Sequence, residues 1–209
     1  MKNNQILVTG IERSGSTIIA KIIQMCGVYT GVTTDMCENI AIKELVDDYF
    51  KSHSVDVKGQ YPLIDPKDVN IPSNWKSEVE KVMDTNASWM YKNGRIGHMW
   101  QVWHYAFPNA KWIIVRRRTG DIINSCMKTG HMTGYTDEEG WKSWIHYHEE
   151  RYVEMITEGL DVKTIWPHRM IDGDYRQMVD MIDWLGLRWN ENIVPFVENK
   201  LVSWNKRKT

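Results

Sequence analysis

The sequence LVTGIERSGSTII, residues 7–19, joins an apolar run to an amphipathic segment through a short loop between two glycines. Residues 5–9 are typical of a buried strand, and isoleucines recur at helical spacing over residues 16–25. The stretch therefore predicts a strand, a loop and a helix. Because such a loop presents unpaired backbone N–H groups at the positive end of the helix dipole, it favours the binding of a phosphate group.

The loop departs from the Walker A pattern at one position. A Walker A loop follows its second glycine with Lys and then Ser or Thr, and the lysine contacts the β- and γ-phosphates. Here Gly15 is followed by Ser16 and Thr17, and the cation of the loop is Arg13. Arginine is a bidentate donor to a terminal phosphate or sulfate. The loop is thus P-loop-like but argues against ordinary cleavage of a nucleoside triphosphate; a helix start capped by Ser and Thr is the purely structural alternative.

A second candidate phosphate site follows another strand. Residues 111–116 are apolar in succession, as in a strand buried on both faces of a parallel sheet, and a helix is predicted from about Thr119. With that start, Asp121 and Ser125 share one helix face while Arg117 lies at the exit of the strand. An arginine fork and a serine hydroxyl can share one phosphate. The alternative is a basic turn that only faces water.

Strand and helix patterns alternate along the rest of the chain. This alternation predicts a three-layer α/β/α fold with a mainly parallel central sheet. At 209 residues the chain fits one domain, which we expect to span residues 1–209. Residues 52–74 show little periodicity and predict an irregular excursion. Further strands are predicted at 88–91 and 162–166, and further helices at 40–51, 75–85, 96–106, 137–158 and 174–185.

Composition narrows the function classes. Because 26 basic residues balance 27 acidic ones, no overall field favours nucleic acid or an anionic membrane, and we expect neither as a partner. Three widely spaced cysteines without a CxxC pair suit a reduced compartment. With no apolar run approaching ~20 residues and no leader pattern, we expect a cytoplasmic protein. Several of the 11 tryptophans cluster between residues 89 and 112, where they either fill the core or line an aromatic pocket.

These motifs resemble those of the PAPS-dependent sulfotransferases, whose donor is 3′-phosphoadenosine 5′-phosphosulfate. TGIERSGST is similar to the 5′-phosphosulfate loop of that family, and FPNAKWIIVRRRTGDIINS to its strand and helix for the 3′-phosphate. Residues 162–187 resemble a later strand and a helix that ends in Leu-Gly-Leu. The resemblance implies metal-independent, in-line transfer of a sulfuryl group from PAPS to a hydroxyl or amine of a small molecule or carbohydrate, with release of 3′-phosphoadenosine 5′-phosphate (PAP).

The resemblance also implies which residues bind the donor. In the family an arginine is followed by Asp at the fourth and Ser at the eighth position, so Arg117 and Ser125 carry over to the 3′-phosphate. Departures are Arg118 and Thr119, which stand where the family often has Asn-Pro. The basic tail corresponds to a C-terminal segment that contacts the 3′-phosphate, although a frayed solubilising end is the alternative. The predicted donor-binding residues are Arg13, Ser14, Gly15, Ser16, Thr17, Arg117, Ser125 and Arg207.

Sulfuryl transfer needs a base for the acceptor and a cation beside the leaving oxygen. The resemblance implies Lys92 for the cation, although Gly94 stands where many members have a histidine. For the base it favours Glu38, which otherwise only starts a helix. His98 and His104 are alternatives, as is Glu12, whose ionised form would repel the sulfate. The predicted catalytic residues are Arg13, Glu38, Lys92 and His98.

Two other functions compete with sulfuryl transfer. A P-loop kinase of a nucleotide or small metabolite would require ATP and magnesium. Such an enzyme needs a lysine after Gly15 and a carboxylate at the end of the strand at 111–115, and the sequence provides neither. A non-catalytic nucleotide-binding protein would retain the phosphate sites without the chemistry.

Overall fold

The sheet consists of four parallel strands in the order β2-β1-β3-β4. A computed structural model describes residues 4–84 and 86–205, and of residues 201–205 only the backbone. The strands are β1 (Gln5–Gly10), β2 (Trp89–Lys92), β3 (Lys111–Val115) and β4 (Val162–Ile165). All three neighbouring pairs are parallel, so the carboxyl ends of the strands meet at one edge of the sheet. The predicted α/β fold with a parallel sheet is confirmed.

The order of the strands creates a crevice between β1 and β3. β2, which follows β1 in the sequence, lies beside β1 toward one edge of the sheet. β3 and then β4 lie on the other side of β1, toward the other edge. In open parallel sheets, ligands bind at this kind of reversal, outside the carboxyl ends of the strands. The two loops that the sequence assigns to phosphate therefore leave adjacent strands at the point where the fold opens.

Apolar side chains cover both faces of the sheet. Along β1, Leu7 belongs to one core cluster, and Ile6 and Val8 belong to the other. This alternation follows from the two-residue repeat of a strand, and it explains why the strands are apolar on successive residues. Each core cluster is closed by its own helices, which gives the three layers. In chain order the helices are α1 (Ser16–Met25), α2 (Ile40–Ser52), α3 (Trp75–Glu80), α4 (Trp100–Ala106), α5 (Thr119–Met127), α6 (Glu138–Thr157), α7 (His168–Ile171), α8 (Arg176–Trp184) and α9 (Ile193–Asn205).

Two predicted helices differ from the structure by more than two residues at one end, whereas the other predicted helices agree with it to within two residues. The helix predicted at 75–85 ends at Glu80, and the one predicted at 96–106 begins only at Trp100. In the second case a 3₁₀ turn, Gly94–Gly97, comes first because the Asn93 side chain accepts a hydrogen bond from the backbone N–H of Arg95 at 2.9 Å. This side-chain bond caps the tighter turn and delays the start of the helix.

The tryptophans between residues 89 and 112 fill the core. Trp89, Trp103 and Trp112 are at most 1% exposed, and Trp100 is 7% exposed. Trp103 stacks on Tyr91 with ring centroids 5.3 Å apart. Packing, not an aromatic pocket, is therefore the role of this cluster. No helix in the described part of the chain combines the length and the apolar character needed to cross a bilayer.

We expect Gly10→Ala to destabilise the protein. A β-carbon at this position would lie 2.7 Å from the carbonyl oxygen of Val115 and 2.8 Å from Oγ of Ser14, so the ends of β1 and β3 must move apart. Overpacking of this kind costs roughly 1–3 kcal/mol of the free energy of unfolding, which urea denaturation measures. Gly120→Ala is the control, because a β-carbon there meets no atom within 4 Å. Equal stability of the two variants would contradict the expectation.

Candidate active site

The loop after β1 holds its backbone in an uncommon conformation. The N–H of Ser14 donates to the carbonyl of Ile11 at 3.0 Å, and both Arg13 (φ 72°) and Gly15 (φ 96°) are left-handed. An arginine in this conformation is strained, and strain of this kind clusters at functional sites. Gly15 is the N-cap of α1 and has no side chain to cap it, so the first N–H groups of this ten-residue helix remain directed toward the loop. The alternative of a helix capped by Ser or Thr is therefore wrong.

The structure brings the two candidate phosphate sites together. Nε of Arg13 donates a hydrogen bond to Oγ of Ser125 at 2.8 Å, and Nη1 of Arg117 donates to the carbonyl oxygen of Arg13 at 3.0 Å. α5 begins at Thr119, which places Asp121 with its Oδ2 3.7 Å from Nε of Arg117. The basic turn after β3 therefore contacts the glycine loop, in contrast to a turn that only faces water.

One cavity of about 580 Å³ lies against both loops. This volume is within the range of ~300–1,000 Å³ that small-molecule sites occupy. Five of the predicted donor-binding residues line it directly from the loop and the first turn of α1, and Arg117 lines it from the turn after β3. The loop members are Arg13, Ser14, Gly15, Ser16 and Thr17. Ser125 is not among the residues that line the cavity, but its Oγ accepts the hydrogen bond from Nε of Arg13, which does line it.

Glu38 and Lys92 form an ion pair at the wall of this cavity. Nζ of Lys92 lies 3.1 Å from Oε1 of Glu38, and the two side chains are 7% and 18% exposed. Lys92 is the last residue of β2, and Glu38 precedes Asn39, whose side chain caps α2 by accepting from the N–H of Ile42. Two predicted catalytic residues that are 54 positions apart in the sequence are thus in direct contact.

Glu12 also lines the cavity and is largely buried. Its Oε2 has no hydrogen-bond partner among the described residues. Burial, and secondarily the charge of Glu38, raise the pKa of Glu12 above its ordinary value, while Lys92, Arg95 and Arg13 oppose the rise. Two of the carboxyl groups that line the cavity therefore have different surroundings: that of Glu38 is paired with an ammonium group, whereas Oε2 of Glu12 has no hydrogen-bond partner among the described residues.

His98 does not line the cavity. It is 1% exposed, and its Nε2 lies 2.7 Å from Nε2 of His148. Because Nδ1 of His148 contacts the carbonyl of Trp144 at 2.9 Å, that nitrogen carries the proton, and His98 must donate to His148. Burial lowers the pKa of both rings, that of His148 to about 4. His98, which directly follows the 3₁₀ turn, is therefore a core residue and not a residue of the cavity wall. His104 on α4 does not line the cavity either.

Sequence reasoning missed the wall formed by the residues after β4. Pro167 packs close to Gly15, where a β-carbon would lie 3.4 Å from its Cγ. Next to it, His168 lines the cavity, and its Nδ1 is buried without a partner among the described residues. The position of these residues directly after β4 could have indicated that they line the site, since the carboxyl ends of parallel strands meet at one edge of the sheet and ligands bind there.

The far wall of the cavity comes from α9. Val197 and Lys200 line it from this helix, which ends at Asn205. No local pattern in the sequence marks either residue. Arg207 and the rest of the basic tail lie outside the described residues, so its predicted contact with the 3′-phosphate stays a prediction. Among the described residues, no group of three or more His, Cys, Asp or Glu side chains could hold a metal ion.

The comparisons with known proteins concern the fold. No family model and no curated protein matches the chain. The structure is similar to the sulfotransferase STF1 from Mycobacterium tuberculosis H37Rv, with a TM-score of 0.57 and 13% identity over 94% of this chain and 71% of that one. It is also similar to the sulfotransferase STF9 from Mycobacterium avium, with a TM-score of 0.59 and 13% identity over 96% and 68% of the two chains. At this identity the likeness shows that the chain has the fold of these two sulfotransferases.

We expect the protein to lose stability as the pH falls below about 6.5, the ordinary pKa of histidine. His98 and His148 bind protons less readily when folded than when unfolded, so stability is full above that pH and declines toward the folded pKa of His148, about 4. The decline amounts to about 1.4 kcal/mol per pH unit for each histidine. Urea unfolding at a series of pH values measures it.

His148→Gln should make this acid decline shallower, because one buried titrating group is lost. The matched control is His146→Gln on the same helix, since the side chain of His146 is 73% exposed. Identical acid slopes for the wild type and His148→Gln would contradict the assignment.

Proposed function

We propose that this protein is a sulfotransferase that moves a sulfuryl group from PAPS to a hydroxyl or amine acceptor without a metal ion. The observation that carries the proposal is the junction of the two phosphate loops, in which Arg13 bonds to Ser125 and Arg117 bonds to the backbone of Arg13. A donor with two separated anionic groups matches a cavity with a cation on each loop. The fold shared with two sulfotransferases supports the same conclusion.

In this proposal the glycine loop binds the group to be transferred. The N–H groups at the start of α1, with the hydroxyls of Ser16 and Thr17, bind the 5′-phosphate and sulfate. Arg13 adds a planar cation that can donate twice to one tetrahedral anion. Arg117 and Ser125 bind the 3′-phosphate, and Asp121 orients Arg117 across 3.7 Å. Each anionic group of the donor then meets an arginine and a hydroxyl.

The proposed chemistry depends on the ion pair of Glu38 and Lys92 at the wall of the cavity. An acceptor oxygen or nitrogen attacks sulfur in line as the bond from sulfur to the bridging oxygen of the 5′-phosphate breaks. Glu38 takes the proton of the acceptor, and Lys92 stabilises the charge that develops on the leaving oxygen. The 3.1 Å contact holds the base and the cation on the same side of the cavity. The products are the sulfated acceptor and PAP.

The rival kinase function has less support from the residues. Gly15 is followed by Ser16, so the lysine of a Walker A loop is missing. β3 ends at Val115 and is followed by arginines, so no carboxylate stands where a magnesium ligand would be needed.

We expect PAP and PAPS to raise the melting temperature and ATP with magnesium to leave it unchanged. Arg13→Ala and Arg117→Ala should each raise the dissociation constant of PAP by about 10- to 100-fold, because a hydrogen bond to a charged group contributes roughly 1.5–3 kcal/mol. A thermal-shift panel and calorimetric titration measure both effects. Arg188→Ala is the control, since Arg188 is exposed and lies outside the cavity lining.

The same panel separates the proposal from its rivals. Stabilisation by ATP with magnesium and not by PAP would favour a P-loop kinase. Tight binding of PAP, without transfer of radiolabelled sulfate to any member of an acceptor library, would favour a non-catalytic binder. Failure of PAP and PAPS to protect the protein at any concentration would refute the proposal.

We expect Glu38→Gln to keep PAP binding and to lower turnover by about 10²- to 10⁴-fold, which is the usual contribution of a general base. Glutamine preserves the size of the side chain and its contact with Lys92 but cannot take up the proton of the acceptor. Steady-state sulfate transfer and PAP titration give the two quantities. Glu44→Gln on the exposed side of α2 is the control, and near-normal turnover of Glu38→Gln would remove Glu38 from the role.

A further inference from the structure

The carboxyl group of Glu12 has no role in the chemistry described above. It lines the cavity beside Arg13, and its Oε2 is buried without a hydrogen-bond partner among the described residues. Buried polar oxygens in folded proteins nearly always have a partner. A carboxyl oxygen in this position either waits for a donor from a ligand or carries a proton and becomes a donor itself.

The surroundings of Glu12 are charged on several sides. Burial, and secondarily the negative charge of Glu38, favour the neutral form of the carboxyl group, whereas cations favour the ionised form. The groups that face it come from four parts of the structure beside its own loop. They are Glu38 before α2, Lys92 at the end of β2, Arg95 in the turn after β2, the thiol of Cys126 on α5, and Arg13 in the loop itself.

Binding of a phosphate or sulfate at the loop changes this balance in one direction. The anion neutralises the charge of Arg13, which is one of three cations that favour the ionised form of Glu12. It also adds negative charge to the cavity that Glu12 lines, where Glu38 is already present. An ionised carboxylate can only accept hydrogen bonds, so it repels the anion, whereas a protonated carboxyl group donates one.

This inference rests on the proposed function. We propose that Glu12 takes up a proton from solvent when the donor binds, and that its carboxylic O–H then donates a hydrogen bond to an anionic oxygen of the donor. One proton moves from water to Oε2, and no covalent bond of the donor changes. Glu12 is thus a binding residue that acts as a neutral acid, while Glu38, paired with Lys92, acts as the base. A carboxylic acid kept neutral by its site is an established type of hydrogen-bond donor.

The test is calorimetric titration of PAP into the full chain, in buffers with different ionisation enthalpies, between about pH 7 and 8.5. The wild type should take up about one proton more per PAP bound than Glu12→Gln, which keeps the size of the side chain but cannot titrate. Linkage then requires the dissociation constant of the wild type to rise by up to about tenfold per pH unit relative to the variant. Comparison with the variant removes the titration of the phosphates of PAP itself.

Glu44→Gln, on the exposed side of α2, should take up protons as the wild type does. Equal uptake by the wild type and Glu12→Gln would overturn the inference and leave the proposed function intact, because PAP still binds. If PAP does not bind the wild type, both fall together. Should Glu12→Gln fail to fold, infrared difference spectra of the wild type decide the matter: PAP must produce the carbonyl stretch of a protonated carboxyl group, and absence of that band overturns the inference.

Discussion

The close approach of three backbone segments at the carboxyl edge of the sheet is the constraint on which the site depends. A β-carbon on Gly94 would lie 2.9 Å from the carbonyl oxygen of Gly10, and one on Gly10 would lie 2.7 Å from that of Val115. Two glycines therefore let the turn after β2 and the ends of β1 and β3 touch. Because these segments touch, Lys92, the glycine loop and the arginine turn open into one cavity. A side chain at either glycine would separate groups that the proposed function assigns to one ligand.

The contacts within the site position its cations in two different ways. Arg13 donates to the hydroxyl of Ser125, a neutral acceptor, whereas Arg117 donates to the backbone carbonyl of Arg13 and has Oδ2 of Asp121 3.7 Å from its Nε. A neutral acceptor fixes the direction of a guanidinium group without cancelling its charge. Lys92 instead contacts the carboxylate of Glu38. Arg13 thus keeps its positive charge for an anion, whereas the charge of Lys92 is balanced by the carboxylate that it contacts.

Local patterns in the sequence predict most of the fold and the anion half of the site. Local features of the sequence predict α1, through its isoleucine spacing, and β3, through its succession of apolar residues. The spacing between Arg117 and Ser125 is a local feature as well. The position of the His98 side chain depends on contacts that no local pattern in the sequence shows. The Asn93 cap tightens the chain into a 3₁₀ turn, and the partner of His98 is 50 residues away on α6. Lys200 reaches the cavity through the packing of α9, which no spacing in the sequence encodes.

Two of the carboxyl groups that line the cavity, those of Glu12 and Glu38, show why residue type alone does not assign a role. Glu12 and Glu38 are the same side chain in the same cavity, and the sequence ranks them only by the family resemblance and by the repulsion of the sulfate that an ionised Glu12 would cause. In the structure, Glu38 has an ammonium partner at 3.1 Å, whereas Oε2 of Glu12 has no hydrogen-bond partner among the described residues. Burial, and secondarily the charge of Glu38, raise the pKa of Glu12, so its carboxyl group keeps a proton more readily than an ordinary glutamate does. The roles proposed for the two groups, base for Glu38 and neutral acid for Glu12, therefore rest on their surroundings and not on the residue type.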